Sequence, residues 1–205
     1  DYLDTNTFEN IMLEIANQDI DAVMFEYCVA YPNGEIQRHN LQQTYGILTN
    51  EEAMNNIFNY APFCWAKFFR KKIVNNVKFK QNIYRGEDTI FAVEAFHRAE
   101  KIYSTEKNYY YYVQSEGSAV RGGLNNRQLT GIDAFEWLHD FSIKYYPELK
   151  AQALINYINI MIEFYIEMEA EKNININIKN KILQQTKKYK TEVMQVVSGK
   201  QKIKF

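Results

Sequence analysis

Two adjacent carboxylates, Glu87 and Asp88, follow Gly86 at the start of an apolar run. The glycine can adopt the unusual backbone angles that such an entry requires. The apolar residues that follow recur with the period of a helix, which predicts that both carboxylates lie in a helical first turn, where unpaired N–H groups stabilise negative charge. A carboxylate held there can accept a proton as a general base, or it can simply cap the helix. Taken alone, the three residues leave both interpretations open.

Further residue types suited to chemistry stand on either side of this turn. Trp65 and Lys67 lie upstream, a tyrosine-rich run at 109–112 follows the apolar helix, and Ser118 and Arg121 lie in a polar, glycine-containing loop. The planar guanidinium of an arginine is well suited to phosphate oxygens, although loop arginines are usually just solvated. For the tryptophan, a place in the core is an equal alternative.

The order of these segments resembles the large inverting family of nucleotide-sugar glycosyltransferases with the GT-A fold, of the bacterial family-two type. In that family a Trp-x-Lys segment, a Glu-Asp pair, a Tyr-x-Tyr strand and a Ser-rich loop with Arg follow one another. The resemblance extends from Asp1 to about Arg121, and it rests on the order and spacing of the four motifs.

The resemblance implies roles for the acidic residues. Asp88 matches the family's catalytic base, and Glu87 a residue that orients the acceptor or a neighbouring cation. Asp1 matches the last aspartate of the family's Asp-x-Asp metal motif, with an N-terminal residue of no special role as the alternative. The implied cofactor of the full-length enzyme is Mn²⁺ or Mg²⁺, since such cations bind carboxylate and phosphate oxygens together.

For substrate binding, the resemblance implies that Trp65 and Lys67 lie beneath the acceptor cleft and that Ser118 and Arg121 belong to a loop that closes over the diphosphate. The implied partners are a nucleotide-sugar donor and a glycan or lipid-linked acceptor. The implied reaction is sugar transfer with inversion, in the synthesis of bacterial capsule, cell wall or another surface polysaccharide.

Because Asp1 matches the end of the metal motif, we expect the family's nucleotide-binding first half to precede it. The 205 residues would then be the acceptor-side half of the enzyme and would be inactive alone. Apolar surface that the other half would cover would favour self-association. The alternative from a different class is a non-catalytic helical protein-interaction module.

Composition argues against several other classes of protein. A net charge of −1 argues against a nucleic-acid-binding protein, which would show a basic bias. Cys28 and Cys64 lie in apolar segments without metal-ligand spacing, which predicts buried thiols in a reducing compartment. The most apolar stretch, residues 153–168, contains too many polar side chains to span a bilayer. We therefore expect a cytoplasmic protein, with peripheral association at the inner face of the membrane as a further expectation.

The predicted fold class is α/β and rich in helix, with residues 1–125 as the acceptor-side part of a GT-A catalytic domain and residues 126–205 as a helical extension. Hydrophobic periodicity predicts the individual elements. The expected helices are 5–17 (capped by Asp4 or Asn6), a second from Thr49 with Glu52 in a capping box, a short one at the end of loop 59–69, one after Asp88, and three after Arg127. The expected strands are 21–30, 35–38, 101–104 and 109–114, with a strand at 173–178 as an alternative to the start of the last helix.

Overall fold

The computed structural model describes residues 1–114, 125–171 and 176–202. The strands are β1 (Tyr2–Leu3), β2 (Ala22–Ala30), β3 (Ile36–His39), β4 (Gly46–Leu48), β5 (Lys67–Phe69) and β6 (Ile102–Val113). The helices are α1 (Thr7–Glu14), α2 (Asn50–Asn59), α3 (Lys71–Val74), α4 (Glu87–Arg98), α5 (Gly131–Tyr145), α6 (Lys150–Glu171) and α7 (Ile176–Lys202). The predicted α/β class is confirmed. By their internal contacts, residues 1–81 and 87–122 form one compact unit, and residues 82–86 and 123–205 form a second.

Two long parallel strands, β2 and β6, form the middle of the sheet in the first unit. Each is long enough to pair with two short strands on its outer side. Along β2, β5 pairs antiparallel with the first half and β3 with the second. Along β6, β4 pairs with the first half and β1 with the second, again antiparallel. Lys67 in β5 thus lies beside the first half of β2, and β1, which follows Asp1, lies beside the second half of β6.

Strand β2 is buried on both faces, as its nearly continuous apolar run predicts. Val23 and Phe25 pack in one cluster with Ile11 of α1. Met24 faces the opposite way, because successive strand residues alternate, and its sulfur accepts a hydrogen bond at 3.7 Å from the side-chain amide of Asn56 in α2. The central strand is thus covered by helices on both sides.

The capping box predicted for α2 is confirmed. The backbone N–H of Glu52 donates to the Thr49 hydroxyl at 3.3 Å, and the backbone N–H of Thr49 donates to the Glu52 carboxylate at 2.9 Å. These two bonds satisfy N–H groups that the helix itself leaves free. The helix then buries Ala53, Met54 and Ile57 completely.

The prediction of two strands at 101–104 and 109–114 is wrong, because β6 runs unbroken from Ile102 to Val113. The polar residues 105–108 interrupt the hydrophobic pattern but not the extended backbone. The register of the pairing between β6 and β2 shifts on both sides of Glu26. Bulges of this kind let a strand continue across an unpaired residue.

The short helix predicted at the end of 59–69 is also wrong, since residues 67–69 form β5 and a short helix, α3, follows instead. Lys67 and Phe69 pair with Met24 and Ala22 of β2. Ala66, immediately before, has φ of +56°, a left-handed conformation that no α-helix contains. Pairing with a distant strand decides the structure here.

Helix α1 is shorter than the predicted 5–17. It ends at Glu14, and Asn17 adopts a left-handed φ of +63° soon after. Of the two candidate caps, Asn6 occupies the N-cap position but makes no side-chain capping bond. Asp4 instead accepts the backbone N–H of Asn6 at 3.0 Å.

The second unit is predominantly helical in its described residues, as predicted for the last third of the chain. Helices α5, α6 and α7 share one core, with Leu154, Tyr157, Met161 and Phe164 of α6 almost fully buried. Residues 176–178 belong to α7 and not to a strand, whereas 173–175 lie outside the described residues. Of the helices in the described ranges, none is both long and apolar enough to cross a membrane.

Candidate active site

The turn into α4 has the geometry that its sequence predicts. Gly86 has φ of +83°, and a Cβ at this position would lie 3.0 Å from the Cβ of Ala134. Helix α4 begins at Glu87, so Glu87 and Asp88 occupy its first turn. Glycine is therefore needed here for two reasons: it adopts the positive φ readily, and there is no room for a side chain.

Asp88 is a partly buried carboxylate with one oxygen held in place. Its Oδ1 accepts the backbone N–H of Thr89 at 2.8 Å and lies 3.5 Å from the Thr89 hydroxyl. Burial raises the pKa of Asp88, opposed by the hydrogen bond from Thr89 and the positive charge of Lys67. Burial, together with the charge of Asp88, also raises the pKa of Glu87. The pKa values of both acids are thus raised, which favours their neutral forms. A helix N-terminus acts in the opposite direction, because it stabilises a carboxylate.

Lys67 is a buried lysine whose ammonium binds backbone carbonyls of the preceding loop. The residue is 8% exposed, and its ammonium donates to the backbone carbonyls of Phe63 at 2.6 Å and Trp65 at 3.4 Å. Within the described part of the chain, no carboxylate lies within ion-pair distance of it. Burial lowers the pKa of Lys67 to about 7, against the opposing influence of Cys64, Asp88 and Glu26.

Trp65 lies in a stack of aromatic rings. Its ring is parallel to that of Phe63 at 3.6 Å between centroids and covers Tyr110 and Tyr112 at 4.9 and 5.4 Å. The Lys67 ammonium lies 4.3 Å from the Phe63 centroid. Because only 3.6 Å separates Phe63 from Trp65, the ammonium contacts the other face of Phe63. The stack therefore has four layers in order: the Lys67 ammonium, the Phe63 ring, the Trp65 ring and the two tyrosine rings.

The backbone at Ala66 separates Trp65 from Lys67. In a regular strand these two residues would point to the same face. The left-handed φ of Ala66 breaks that alternation, and the Ala66 carbonyl accepts the backbone N–H of Phe25 at 3.1 Å. Trp65 consequently packs on the tyrosines, while Lys67 is buried near the charge of Asp88.

Sequence reasoning missed Cys64 as a member of this site. It is only partly buried, contrary to the predicted burial, and both burial and the charge of Asp88 raise the pKa of its thiol. Its position just before Trp65 was the available signal. The ring of Trp65 contacts other aromatic rings, and its expected place beneath the acceptor cleft stays a prediction.

Asp1 lies at the edge of the sheet, beside the end of β6. Its carboxylate accepts the Tyr110 hydroxyl at 2.7 Å and the backbone N–H of Val113 at 2.9 Å. Among the described residues, no group of three or more His, Cys, Asp or Glu side chains could hold a metal ion. The two predicted loop residues, Ser118 and Arg121, lie outside the described ranges.

Comparison with known proteins gives only distant likenesses. No family model matches the sequence, and no curated protein matches it. The crystal structure of S. aureus TarS 1-349 in complex with UDP-GlcNAc is 17% identical, covers 81% of this chain and 54% of that chain, and has a TM-score of 0.48. A structure of S. aureus TarS 1-349 is 19% identical, with 78% and 52% covered and a TM-score of 0.45. A structure of S. aureus TarS is 18% identical, with 78% and 32% covered and a TM-score of 0.44.

The chain thus spans about half of the two TarS 1-349 structures and about a third of the longer one.

Proposed function

We propose that this chain is the acceptor-side part of an inverting nucleotide-sugar glycosyltransferase of bacterial surface polysaccharide synthesis, with Asp88 as the general base. The observation that supports the proposal most is the setting of Asp88. One carboxylate oxygen is held by the Thr89 N–H, and burial raises the pKa of the carboxyl group. A base needs a fixed lone pair and a pKa moved towards the working pH.

In the proposed reaction Asp88 Oδ2 takes the proton of an acceptor hydroxyl. The acceptor oxygen then forms a bond to the anomeric carbon of the donor sugar, and the bond from that carbon to the diphosphate oxygen breaks on the opposite side. The anomeric configuration is therefore inverted. Glu87, next to the base, would orient the acceptor or a neighbouring cation, and Ser118 and Arg121 would contact the diphosphate.

Lys67 and Trp65 would set the geometry beneath the acceptor. The layers of Trp65, Phe63 and the Lys67 ammonium give this region a rigid wall. The positive charge of Lys67 favours the ionised form of Asp88, so it limits how far burial raises the pKa of the base.

A divalent cation would neutralise the leaving diphosphate in the full-length enzyme. Asp1 is the ligand that this chain would contribute. The fit of the described residues is incomplete, because both Asp1 oxygens accept hydrogen bonds and no cluster of three ligands surrounds it within those residues. The proposed steps above therefore use only the residues of the chain.

The test is the transferase activity of the full-length parent protein with Mn²⁺ and a nucleotide-sugar donor. Asp88→Asn should lower kcat by about 10²–10⁴-fold, the usual loss on removing a general base, with donor KM nearly unchanged. Glu51→Gln is the matched control, because Glu51 also lies in the first turn of a helix. Full activity of Asp88→Asn would contradict the assignment of the base.

The alternative, a non-catalytic helical interaction module, is favoured by one feature of α6. Ile162 and Ile166 lie one turn apart and are 50% and 61% exposed. If the full-length parent transfers no sugar from any nucleotide-sugar donor, this alternative becomes the better proposal.

A further inference from the structure

The residues that directly precede the acid pair belong to the helical second unit. By internal contacts that unit contains residues 82–86 as well as 123–205, and the first unit resumes at Glu87. Glu87 and Asp88 therefore follow, without any linker, a segment that is packed within the helical unit. The contacts of Tyr84, Arg85 and Gly86 show how firmly this segment is held.

Tyr84 is bound through its backbone and through its ring. Its backbone N–H donates to the Thr130 hydroxyl at 2.9 Å. That hydroxyl donates in turn to the backbone carbonyl of Arg127 at 2.6 Å, and the Arg127 guanidinium lies 4.8 Å from the centre of the Tyr84 ring. The residues just before α5 thus hold Tyr84 by a hydrogen bond and by a cation–π contact.

Arg85 contacts α6 through both its charge and its planar face. One guanidinium nitrogen donates to the Glu163 carboxylate at 2.6 Å, and the guanidinium lies 4.8 Å from the centre of the Phe164 ring. Phe164 is completely buried in the core that the helices share. A second guanidinium nitrogen lies 3.5 Å from the side-chain oxygen of Gln128. A planar guanidinium is suited to stacking on a ring and binding a carboxylate at once.

The aliphatic part of Arg85 fills the space beside Gly131, the first residue of α5. A Cβ at Gly131 would lie 3.3 Å from Cγ of Arg85 and 3.2 Å from the Phe164 ring. Gly131 has ordinary helical angles, with φ of −57°, so its backbone does not require glycine. Glycine is a poorer helix residue than alanine, and its presence here is explained by the room that the Arg85 side chain occupies.

Gly86, the last residue before the acids, is confined by α5. A Cβ there would lie 3.0 Å from the Cβ of Ala134 and 3.3 Å from the ring of Phe135, and Ala134 is itself completely buried. Because one planar peptide unit joins Gly86 to Glu87, fixing the backbone of residues 84–86 limits the positions open to Glu87. The helical unit therefore controls where the turn with the two acids begins.

We propose that Arg85 is a positioning residue of the transferase: paired with Glu163, it holds the turn of Glu87 and Asp88 where deprotonation of the acceptor requires it. This inference rests on the proposed function, since it gives the helical unit a part in the catalysis assigned to Asp88. A base must lie within hydrogen-bond reach of the hydroxyl that it deprotonates. A misplacement of about 1 Å can lower a rate about 10²-fold, so a loosened turn should be costly.

The first test is the kinetics of the full-length parent. Arg85→Ala should lower kcat by about 10- to 100-fold with donor KM nearly unchanged, because the segment 84–86 is not part of the proposed donor site. Glu163→Gln should act in the same direction but less, since a glutamine oxygen still accepts a hydrogen bond. The double variant should lose no more than Arg85→Ala alone, because both changes remove one interaction.

Glu169→Gln is the matched control and should keep the wild-type kcat. Glu169 also lies on α6, its side chain is 45% exposed against 47% for Glu163, and each carboxylate has an ion pair at 2.6 Å, with Lys179 and Arg85 respectively. The control thus removes an equivalent charge that does not contact the segment before the acids.

The second test needs no activity and uses the ¹⁵N-labelled chain. Arg85→Ala and Glu163→Gln should both shift the amide resonances of Glu87 and Asp88, whereas Glu169→Gln should not. Glu163 lies 78 residues after Arg85 in the sequence, so its substitution can reach the acids only through the folded contact.

Unchanged kcat in either single variant, additive losses in the double variant, or an equal loss in Glu169→Gln would overturn the proposal, as would unchanged amide shifts at Glu87 and Asp88. If Asp88→Asn abolishes transfer while Arg85→Ala keeps the wild-type kcat, the positioning role fails and the proposed function stands. If the full-length parent transfers no sugar, the proposed function fails, and the amide shifts alone decide whether the ion pair holds the turn.

Discussion

At the scale of single residues, the candidate site depends on the burial of two opposite charges. Burial raises the pKa of Asp88 and lowers that of Lys67 to about 7, and each charge partly offsets the shift of the other. Perturbed groups of this kind concentrate at functional sites, although structural ion networks produce them too. The burial has consequences for stability that can be measured on this chain itself.

Lys67→Met should be more stable than the wild type at low pH. The pKa of Lys67 is about 7 in the folded chain, below its ordinary value of 10.5, so the unfolded chain binds more protons between these values. Wild-type stability should therefore rise with pH across that window. The advantage of the variant should be several kcal/mol below pH 7, at about 1.4 kcal/mol per pKa unit, and should shrink towards pH 10.5. Urea unfolding at pH 6, 8 and 10 measures it, with Lys78→Met, at an exposed lysine, as control. Parallel pH profiles for wild type and Lys67→Met would contradict the prediction.

Asp88→Asn should lose activity in the full-length protein but gain stability in this chain. The raised pKa of Asp88 means that the folded chain binds its proton more tightly than the unfolded chain. Wild-type stability should therefore fall as pH rises from the ordinary value of 3.8 through the folded pKa. An uncharged side chain avoids this loss, so Tm of the variant should exceed that of the wild type at pH 7 and match it at pH 3. Equal Tm values at both pH values would show that burial of Asp88 carries no cost.

At the scale of elements, local chemistry begins the helices and long-range pairing places the strands. The capping box of α2 depends only on Thr49 and Glu52, whereas β5 exists because Lys67 and Phe69 pair with β2. Helix α2 in turn contacts α4, the helix that carries Asp88. Loss of the cap should therefore affect the packing that supports the candidate base.

Thr49→Ala should destabilise the chain by about 1 kcal/mol, the typical cost of removing an N-cap side chain. The Thr49 hydroxyl would no longer accept the N–H of Glu52. Thr49→Ser keeps that hydroxyl and should stay close to the wild type. Chemical denaturation of the three proteins measures the effect, and an equal loss in both variants would rule out the capping bond as its cause.

At the scale of the whole molecule, the described residues form two compact units, with the candidate base in the first and the helices α5 to α7 in the second. Large apolar side chains are exposed in the first unit, above all Phe8 at 67% and Leu13 at 69%. Self-association of this chain stays a prediction that such surface makes reasonable.

This chain alone should show no micromolar binding of UDP with Mn²⁺. The resemblance implies that the family's first half holds the base and ribose of the nucleotide, and under the proposal above these 205 residues are the acceptor-side part. The one implied metal ligand, Asp1, already accepts two hydrogen bonds. Isothermal titration with UDP and Mn²⁺ is the measurement, with the full-length parent as positive control. Micromolar binding by this chain would show that it holds the nucleotide without the other half.

The sequence by itself determined the features that depend on neighbours within about four residues. Helix periodicity, the capping box at Thr49, the buried run of β2 and the glycine turn at Gly86 are local in this sense, because cap chemistry and alternation act between residues close in the chain. The placement of Glu87 and Asp88 in a helical first turn follows from the same local rules.

Only the tertiary structure decided the features that join distant segments. The pairing of β5 with β2, the continuity of β6, the aromatic layers on Trp65 and the hydrogen bonds of Asp1 all connect residues far apart in the chain. The pKa shifts of Asp88 and Lys67 belong here as well. A shift of this kind is set by burial and by nearby charge, and both arise only when separate segments pack together.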